Sequence, residues 1–353
     1  MREQINSLHG VKAIALLFLF WWHGPIPRPP CDLGARTCEV LFIVSGFLVG
    51  YRYFGSLTPV TWKESLRYVS VKLVKFWPLH LVTLLVVMFK MRSTIISWKE
   101  WMTALLDIFL LQAWSPSTKS VFMFNGASWF LSALIFCYFM SPLFLRLANS
   151  VKMSIVLFPL VFIVRYIIEY AGVFFPNYFF GFNIHISPFI RCLEFFLGML
   201  MVPLFLFLKA KVQYSTTLLF SIYEILIMLA IIISSVSRNR LWLRADFVFI
   251  FCLFVFIFSF NEGIVSRLFS ARIFVMFSKI QFEFYILHQA VIQCMRNDYG
   301  KLFMDWKMQS IALFVTIIVV SLVYKKYISH TFSKWVAAAF NRIFCFFGIG
   351  LSV

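Results

Sequence analysis

The sequence predicts an all-α protein, a polytopic transmembrane helical bundle of about ten or eleven spans. Three observations carry that prediction. Of 353 residues, 62% are hydrophobic and 13% charged, whereas soluble domains hold roughly 45–50% apolar and about 25% charged residues. The mean hydropathy of +0.89 leaves too little polar surface to face water. Apolar stretches recur along almost the whole chain, and about 20 such residues of helix cross the ~30 Å hydrocarbon core of a bilayer. The alternating strands of an outer-membrane barrel are absent. An ordinary soluble enzyme, a disordered protein and a disulfide-stapled secreted module are excluded.

The first span starts near Ile5 and ends at His23. Residues 1–12 are basic and 13–22 are apolar, the proportions of a signal peptide, but His23, Pro25, Pro27 and Pro29 stand where a small-residue cleavage site belongs. An uncleaved span is the reading. Further apolar windows fall at 38–54, 71–90, 99–115, 127–147, 151–171, 188–208, 215–236, 243–260, 273–295 and 308–328. Asp107 sits in the fourth, and Lys279 and Glu283 in the tenth. Loops such as 24–36 and 115–127 carry Pro, Gly and charge. Residues 1–335 read as one membrane-embedded domain and 336–353 as a short tail, without internal repeats of the transporter kind. Most of the seven Cys lie in apolar runs. Cys31 and Cys38 share a loop and would pair only in an oxidising compartment.

The net charge is +18, from 32 Lys and Arg against 14 Asp and Glu. The basic residues stand singly or in short clusters between apolar runs, as loops facing anionic lipid do. No nucleic-acid partner is expected, because no basic stripe or reading motif occurs. Residues 52–75 carry Arg52, Lys63, Arg67, Lys72 and Lys75 against Glu64 alone, which assigns them to the cytoplasm and, two spans earlier, the N-terminus as well. The uncharged loop 172–187 suits the outside. Loops near 90–99 and 238–244 are also basic, so the rule orients only the first three spans.

Lys12 and His23 lie eleven positions apart, which on a helix returns them to one face within about 20°, roughly 16 Å apart along the axis. A cation and an imidazole on one intramembrane stripe point to a polar cavity; the other reading is a snorkelling Lys12 and a span-capping His23. Glu39 enters the second span one short loop after His23. A carboxylate beside an imidazole fixes its tautomer and raises its basicity, as base-assisted acyl transfer requires. Ser45-Gly46 makes a notch for close helix approach, a better reading than a nucleophilic serine. Lys72 and Lys75 share a helix face before Phe76-Trp77-Pro78, suited either to phosphate groups or to plain anchoring at the cytoplasmic boundary. No zinc-binding spacing and no Gly-rich phosphate loop occurs, so no metal and no permanently bound cofactor is expected.

Taken together, these motifs resemble the acyltransferase-3 family of integral-membrane acyltransferases. The resemblance rests on Lys12, ten residues and His23; on Glu39 leading into Ser45-Gly46-Phe47; and on Lys72-x-x-Lys75 before Trp77-Pro78. It continues in Ser128-Trp129-Phe130-Leu131-Ser132, in Arg191 leading to Leu197-Gly198-Met199, and in Phe284-Tyr285-Ile286-Leu287-His288. The matches keep family order over about residues 1–330. Departures are Leu134 at a position often acidic, Lys in both places of the usual Arg pair, and Ser329-His330-Thr331 where a Glu-Pro often stands. The resemblance implies a bacterial inner-membrane enzyme with acetyl-CoA, bound by Lys12, Lys72 and Lys75, as donor substrate. The acceptor it implies is a hydroxyl of a cell-surface polysaccharide or lipid-linked glycan. His23 and Glu39 would be catalytic, with Ser45, Trp129, Arg191, Tyr285 and His288 on the acceptor side or in support. His80, His185 and His330 are read as structural. A transporter or flippase for a glycan or small metabolite is the alternative, using Lys12, Asp107, Glu169, Glu194 and Glu283. A noncatalytic scaffold or sensor is a third reading.

Overall fold

The computed structural model describes residues 3–27, 33–55, 61–93, 95, 97–174, 183, 185–211, 217–236, 243–303 and 305–346. Among them there is no strand. The helices in chain order are α1 (Asn6–His23), α2 (Leu33–Tyr53), α3 (Trp62–Lys90), α4 (Trp98–Ile108), α5 (Thr118–Val121), α6 (Ser128–Leu147), α7 (Val151–Phe174) and α8 (Pro188–Lys211). They continue as α9 (Thr217–Val236), α10 (Leu243–Ser259), α11 (Ile264–Phe269), α12 (Arg272–Ser278), α13 (Gln281–Leu302), α14 (Trp306–Val323) and α15 (Ser329–Phe346). A π turn at Tyr324–Ile328 joins the last two into one rod, so helix continues through positions 335 and 336. Cys31 lies outside the described residues, and with it the pairing considered for Cys38.

The protein is an all-α, polytopic helical bundle. Among the described residues six helices are long and apolar enough to cross a membrane: α3, α6, α7, α8, α9 and the rod from Trp306 to Arg342. Burial sorts these spans into layers. In α8, 78% of the most apolar stretch is covered by protein, against 11% in α7 and 22% in α9. α8 is therefore a central post, while α7 and α9 turn Ile, Leu and Val toward lipid.

The tightest joint is between α2 and α8, and glycine makes it possible. A Cβ on Gly46 would overlap the backbone of Phe195, and one on Gly198 would overlap the backbone of Ile43. Without those hydrogens-only positions the two backbones could not meet. Gly46 of the Ser45-Gly46 pair thus faces its helix partner as the sequence suggests. Phe47 and Phe195, both fully buried, fill the space beside it.

The window 99–115 does not form a span. α4 has 11 residues, only ~16 Å of axis. After it the chain turns through Leu110, at φ 56°, into a 3-10 turn at Gln112–Trp114. The cause is polar. Buried Asp107 accepts from the Ser128 hydroxyl at 2.9 Å and Ser132 Oγ donates to Leu110 O at 2.5 Å, so the segment folds back onto α6. Lipid could not satisfy those groups. The capping box of Ser97 and Glu100 starts α4, and Trp98 and Trp101 are exposed along it. The 273–295 window is likewise divided, with α12 ending at Ser278 and α13 starting at Gln281.

Candidate active site

Two cavities meet at Tyr285, which lines both. The first has a volume of about 300 Å³ and holds four ammonium groups, Lys12 from α1, Lys72 and Lys75 from α3, and Lys279 from the α12–α13 junction. Ser45, Phe130 and Leu134 line it as well. Lys72 Nζ lies over the Tyr68 ring at 5.2 Å and the Tyr138 ring at 5.3 Å, which hold the cation from below. Among the described residues none of the four ammonium groups pairs with a carboxylate. Glu283 also lines the cavity, but Lys325 of the π turn lies 3.6 Å from its carboxylate. Like charges gathered this closely repel unless an anion joins them.

The second cavity, about 220 Å³, is lined by His23, Cys38, Trp129, His185, Tyr285 and His288, among others. The His23 and His288 rings face each other with centroids 5.5 Å apart. Tyr285 Oη donates to Ala127 O at 3.1 Å, which pins the shared wall to the start of α6. The stripe shared by Lys12 and His23 therefore connects the two cavities along α1, as helix periodicity suggests.

Glu39 and Arg191 belong to a third feature, a buried ion cluster beside the second cavity. Arg36 Nη1 donates to Glu39 Oε1 at 3.0 Å, and Arg191 Nη1 stands 3.9 Å from the same oxygen. Arg191 Nη1 donates to Glu194 Oε2 at 2.6 Å. Arg165 donates from Nε and Nη2 to Glu194 Oε1, at 3.1 and 2.9 Å, and from Nη1 to Glu169 Oε2 at 2.6 Å. Three guanidinium and three carboxylate groups from α2, α7 and α8 thus balance in charge. Arg191 reaches on to the second cavity: its Nε donates to His185 O at 2.7 Å. Glu39 itself does not line that cavity.

Most residues singled out from the sequence fall on these features. Lys12, Ser45, Lys72 and Lys75 line the first cavity, His23, Trp129 and His288 the second, and Tyr285 both. Sequence reasoning missed Lys279 as a member of the lysine cluster and left His185 as a structural residue. Lys279 stood out in its apolar window only as a charge, and of the two Arg partners of Glu194, Arg191 stands three residues before it on α8, while Arg165 comes from another window with no motif to link it. The carboxylates expected of a transport path are engaged: Glu169 and Glu194 with arginines, Glu283 with Lys325, and Asp107 with Ser128.

The Acyl_transf_3 family model, an acyltransferase domain, matches residues 5–325. The acyltransferase MdmB of Streptomyces mycarofaciens is 28% identical over 166 residues, which cover 42% of this chain and 41% of that protein. The match thus spans less than half of that relative. No solved structure gives a significant match. With the family match running over nearly the whole chain and over both cavities, this protein belongs to the acyltransferase-3 family of integral-membrane acyltransferases.

Proposed function

We propose that this protein is a membrane O-acyltransferase that takes an acetyl group from cytoplasmic acetyl-CoA. It passes that group to a hydroxyl of a cell-surface polysaccharide or lipid-linked glycan. The membrane is a bacterial inner membrane with the N-terminus in the cytoplasm. The observation that carries this reading is the pair of cavities meeting at Tyr285, lysine-rich on one side and histidine-lined on the other. Donor and acceptor of such a reaction reside on opposite faces of the bilayer, and the enzyme must bring them together inside it.

Coenzyme A carries a 3′-phosphate and a diphosphate, the polyanion that Lys12, Lys72, Lys75 and Lys279 lack. Its pantetheine arm is slender and suits the passage between Ser45, Phe130 and Leu134 toward Tyr285. The thioester then arrives beside His23. In the step itself the acceptor oxygen bonds to the thioester carbonyl carbon, the C–S bond breaks, and the hydroxyl proton ends on the CoA thiol. His23 serves either as the base that receives the proton or as a transient carrier of the acyl group. Glu39 acts on this site through Arg191 and the His185 segment that Arg191 holds. Trp129 and Tyr285 shape the acceptor side.

The test uses membrane vesicles containing the full chain and labelled acetyl-CoA, with free CoA thiol and labelled glycan as readouts. The wild type releases CoA and labels the glycan. His23→Ala, present at equal abundance, does neither. Surface glycans that keep one added acetyl mass in cells carrying His23→Ala would overturn the reading.

A further inference from the structure

His288 is 1% exposed and lines the second cavity. Its Nδ1 contacts the backbone carbonyl oxygen of Tyr285, one helical turn earlier on α13. A carbonyl oxygen can only accept, so Nδ1 carries the ring proton and Nε2 is left with a lone pair. That Nε2 is buried and meets no hydrogen-bond partner among the described residues. The ring therefore has a fixed tautomer, a fixed orientation and an unpartnered acceptor, in the wall of the cavity that His23 also lines, with the two ring centroids 5.5 Å apart. A buried acceptor without a donor is unfavourable, and the cavity supplies room for the missing donor.

We infer that His288 is a second catalytic histidine, whose Nε2 receives the proton of the acceptor hydroxyl. The inference rests on the acyl-transfer reading and divides its labour: His288 activates the alcohol, and His23 attends the acyl group. The alcohol O–H is the donor that Nε2 lacks. As its proton passes to Nε2, its oxygen bonds to the acyl carbonyl carbon and the bond from that carbon to its leaving group breaks. The imidazolium then gives that proton to the departing CoA thiolate, so that acyl-CoA and alcohol become ester and CoA thiol. The Tyr285 carbonyl opposite Nδ1–H stabilises the imidazolium while it lasts, the orienting part that a third group plays in hydrolytic triads.

Two variants separate this role from a structural one. In His288→Asn the amide nitrogen stands where Nδ1 was and donates to Tyr285 O, but nothing replaces Nε2. In His288→Ala the ring is gone and leaves room for added imidazole. With labelled acetyl-CoA in vesicles, His288→Asn keeps wild-type abundance and KM for acetyl-CoA, while kcat falls by ~10²–10⁴, the usual weight of general-base catalysis. Added imidazole restores part of the rate to His288→Ala. Rates for His288→Asn within a few-fold of wild type overturn the assignment, as does a loss in both variants that imidazole does not reverse. Wild-type vesicles that release no CoA would instead overturn the acyl-transfer reading itself. An active wild type with an equally active His288→Asn removes only the role given to His288.

Discussion

Arg191 grips His185 twice, donating from Nε to its backbone carbonyl at 2.7 Å and meeting its Nδ1 with Nη2 at 3.1 Å. The same guanidinium holds Glu194 and stands over Trp129, with its carbon 5.9 Å from the ring centroid. One side chain thus fastens the wall of the second cavity to the ion cluster of α2, α7 and α8.

Arg191→Lys tests that fastening. A lysine keeps the charge but has no fork with which to hold Glu194 and His185 together. Truncating one member of a buried ion pair costs about 3–5 kcal/mol, and the charge-preserving change should cost the lower end of that range or less. We expect a lower melting temperature in detergent and an activity loss of at least tenfold. An unchanged melting temperature with full activity would show that the wall stands without Arg191.

Glu39→Gln should depress activity strongly but less than loss of His23. Glu39 Oε1 accepts from Arg36, and Oε2 has no hydrogen-bond partner among the described residues. Gln keeps the accepting oxygen and removes a charge, leaving the cluster one positive charge in excess. The consequence is misplaced Arg36 and Arg191 rather than a missing proton acceptor. Activity should therefore fall together with thermal stability, and Arg36→Gln added to Glu39→Gln should recover part of the stability by restoring neutrality. Wild-type stability in the single variant would place the effect of Glu39 elsewhere.

Gly46→Ala tests the joint of α2 and α8. Its Cβ would overlap the Phe195 backbone, which no rotamer change relieves. Overpacking of this kind costs about 1–3 kcal/mol or more. Reduced abundance and a lower melting temperature are expected, whereas Ser45→Ala, one position away and facing the first cavity, should leave both nearly unchanged.

The bundle and most of the cavity residues were legible because membranes impose simple rules. A lysine and a histidine eleven positions apart on one helix must share a stripe, and the structure puts them in the two cavities that the stripe joins. Helix periodicity also placed Lys72 and Lys75 on one face. It could not reveal Lys279, which joins them only because the chain breaks between α12 and α13. The expected pairing of Glu39 with an imidazole rested on a short loop, and a loop does not determine which way a side chain turns. Arg191 and Arg36 claim that carboxylate from a distant helix and from the preceding turn. The 99–115 window misled for a related reason. Hydropathy averages over Asp107, while folding has to satisfy it, and Ser128 does so only if the segment turns back.

The lysine cluster makes a kinetic prediction. Phosphate contacts made alike in ground and transition states act on binding rather than on the chemical step. Lys72→Ala with Lys75→Ala should raise KM for acetyl-CoA by tenfold or more and lower kcat much less, and Lys279→Ala should do the same to a smaller degree. The paired Arg variant should be tolerated, since charge is kept and a fork is gained. A fall in kcat at unchanged KM would remove the lysines from the donor clamp.

Asp107 separates acyl transfer from a proton-coupled transport path. Its Oδ1 accepts from Ser128, while Oδ2 is buried and has no hydrogen-bond partner among the described residues. Two neighbours share that deficit. His80 Nε2 is bonded to Asp107 O at 2.7 Å, which makes Nε2 the protonated nitrogen and leaves Nδ1 an unpartnered acceptor. Gln112 donates to Ser128 Oγ at 2.9 Å, and its Oε1 is likewise unpartnered. The pocket is thus rich in acceptors and short of donors. Asp107→Asn keeps an oxygen for Ser128 and puts an NH₂ where Oδ2 was, supplying donors of the kind the neighbours lack. It also removes a carboxyl from the low-dielectric interior, where an ionised group is costly. Asp107→Asn should therefore be neutral or raise the melting temperature, and acetyl transfer should stay within a few-fold of wild type. A transporter that moves protons through Asp107 would lose its activity with the titratable group, because an amide cannot take and release a proton at neutral pH. Loss of function in Asp107→Asn at full stability would therefore favour transport.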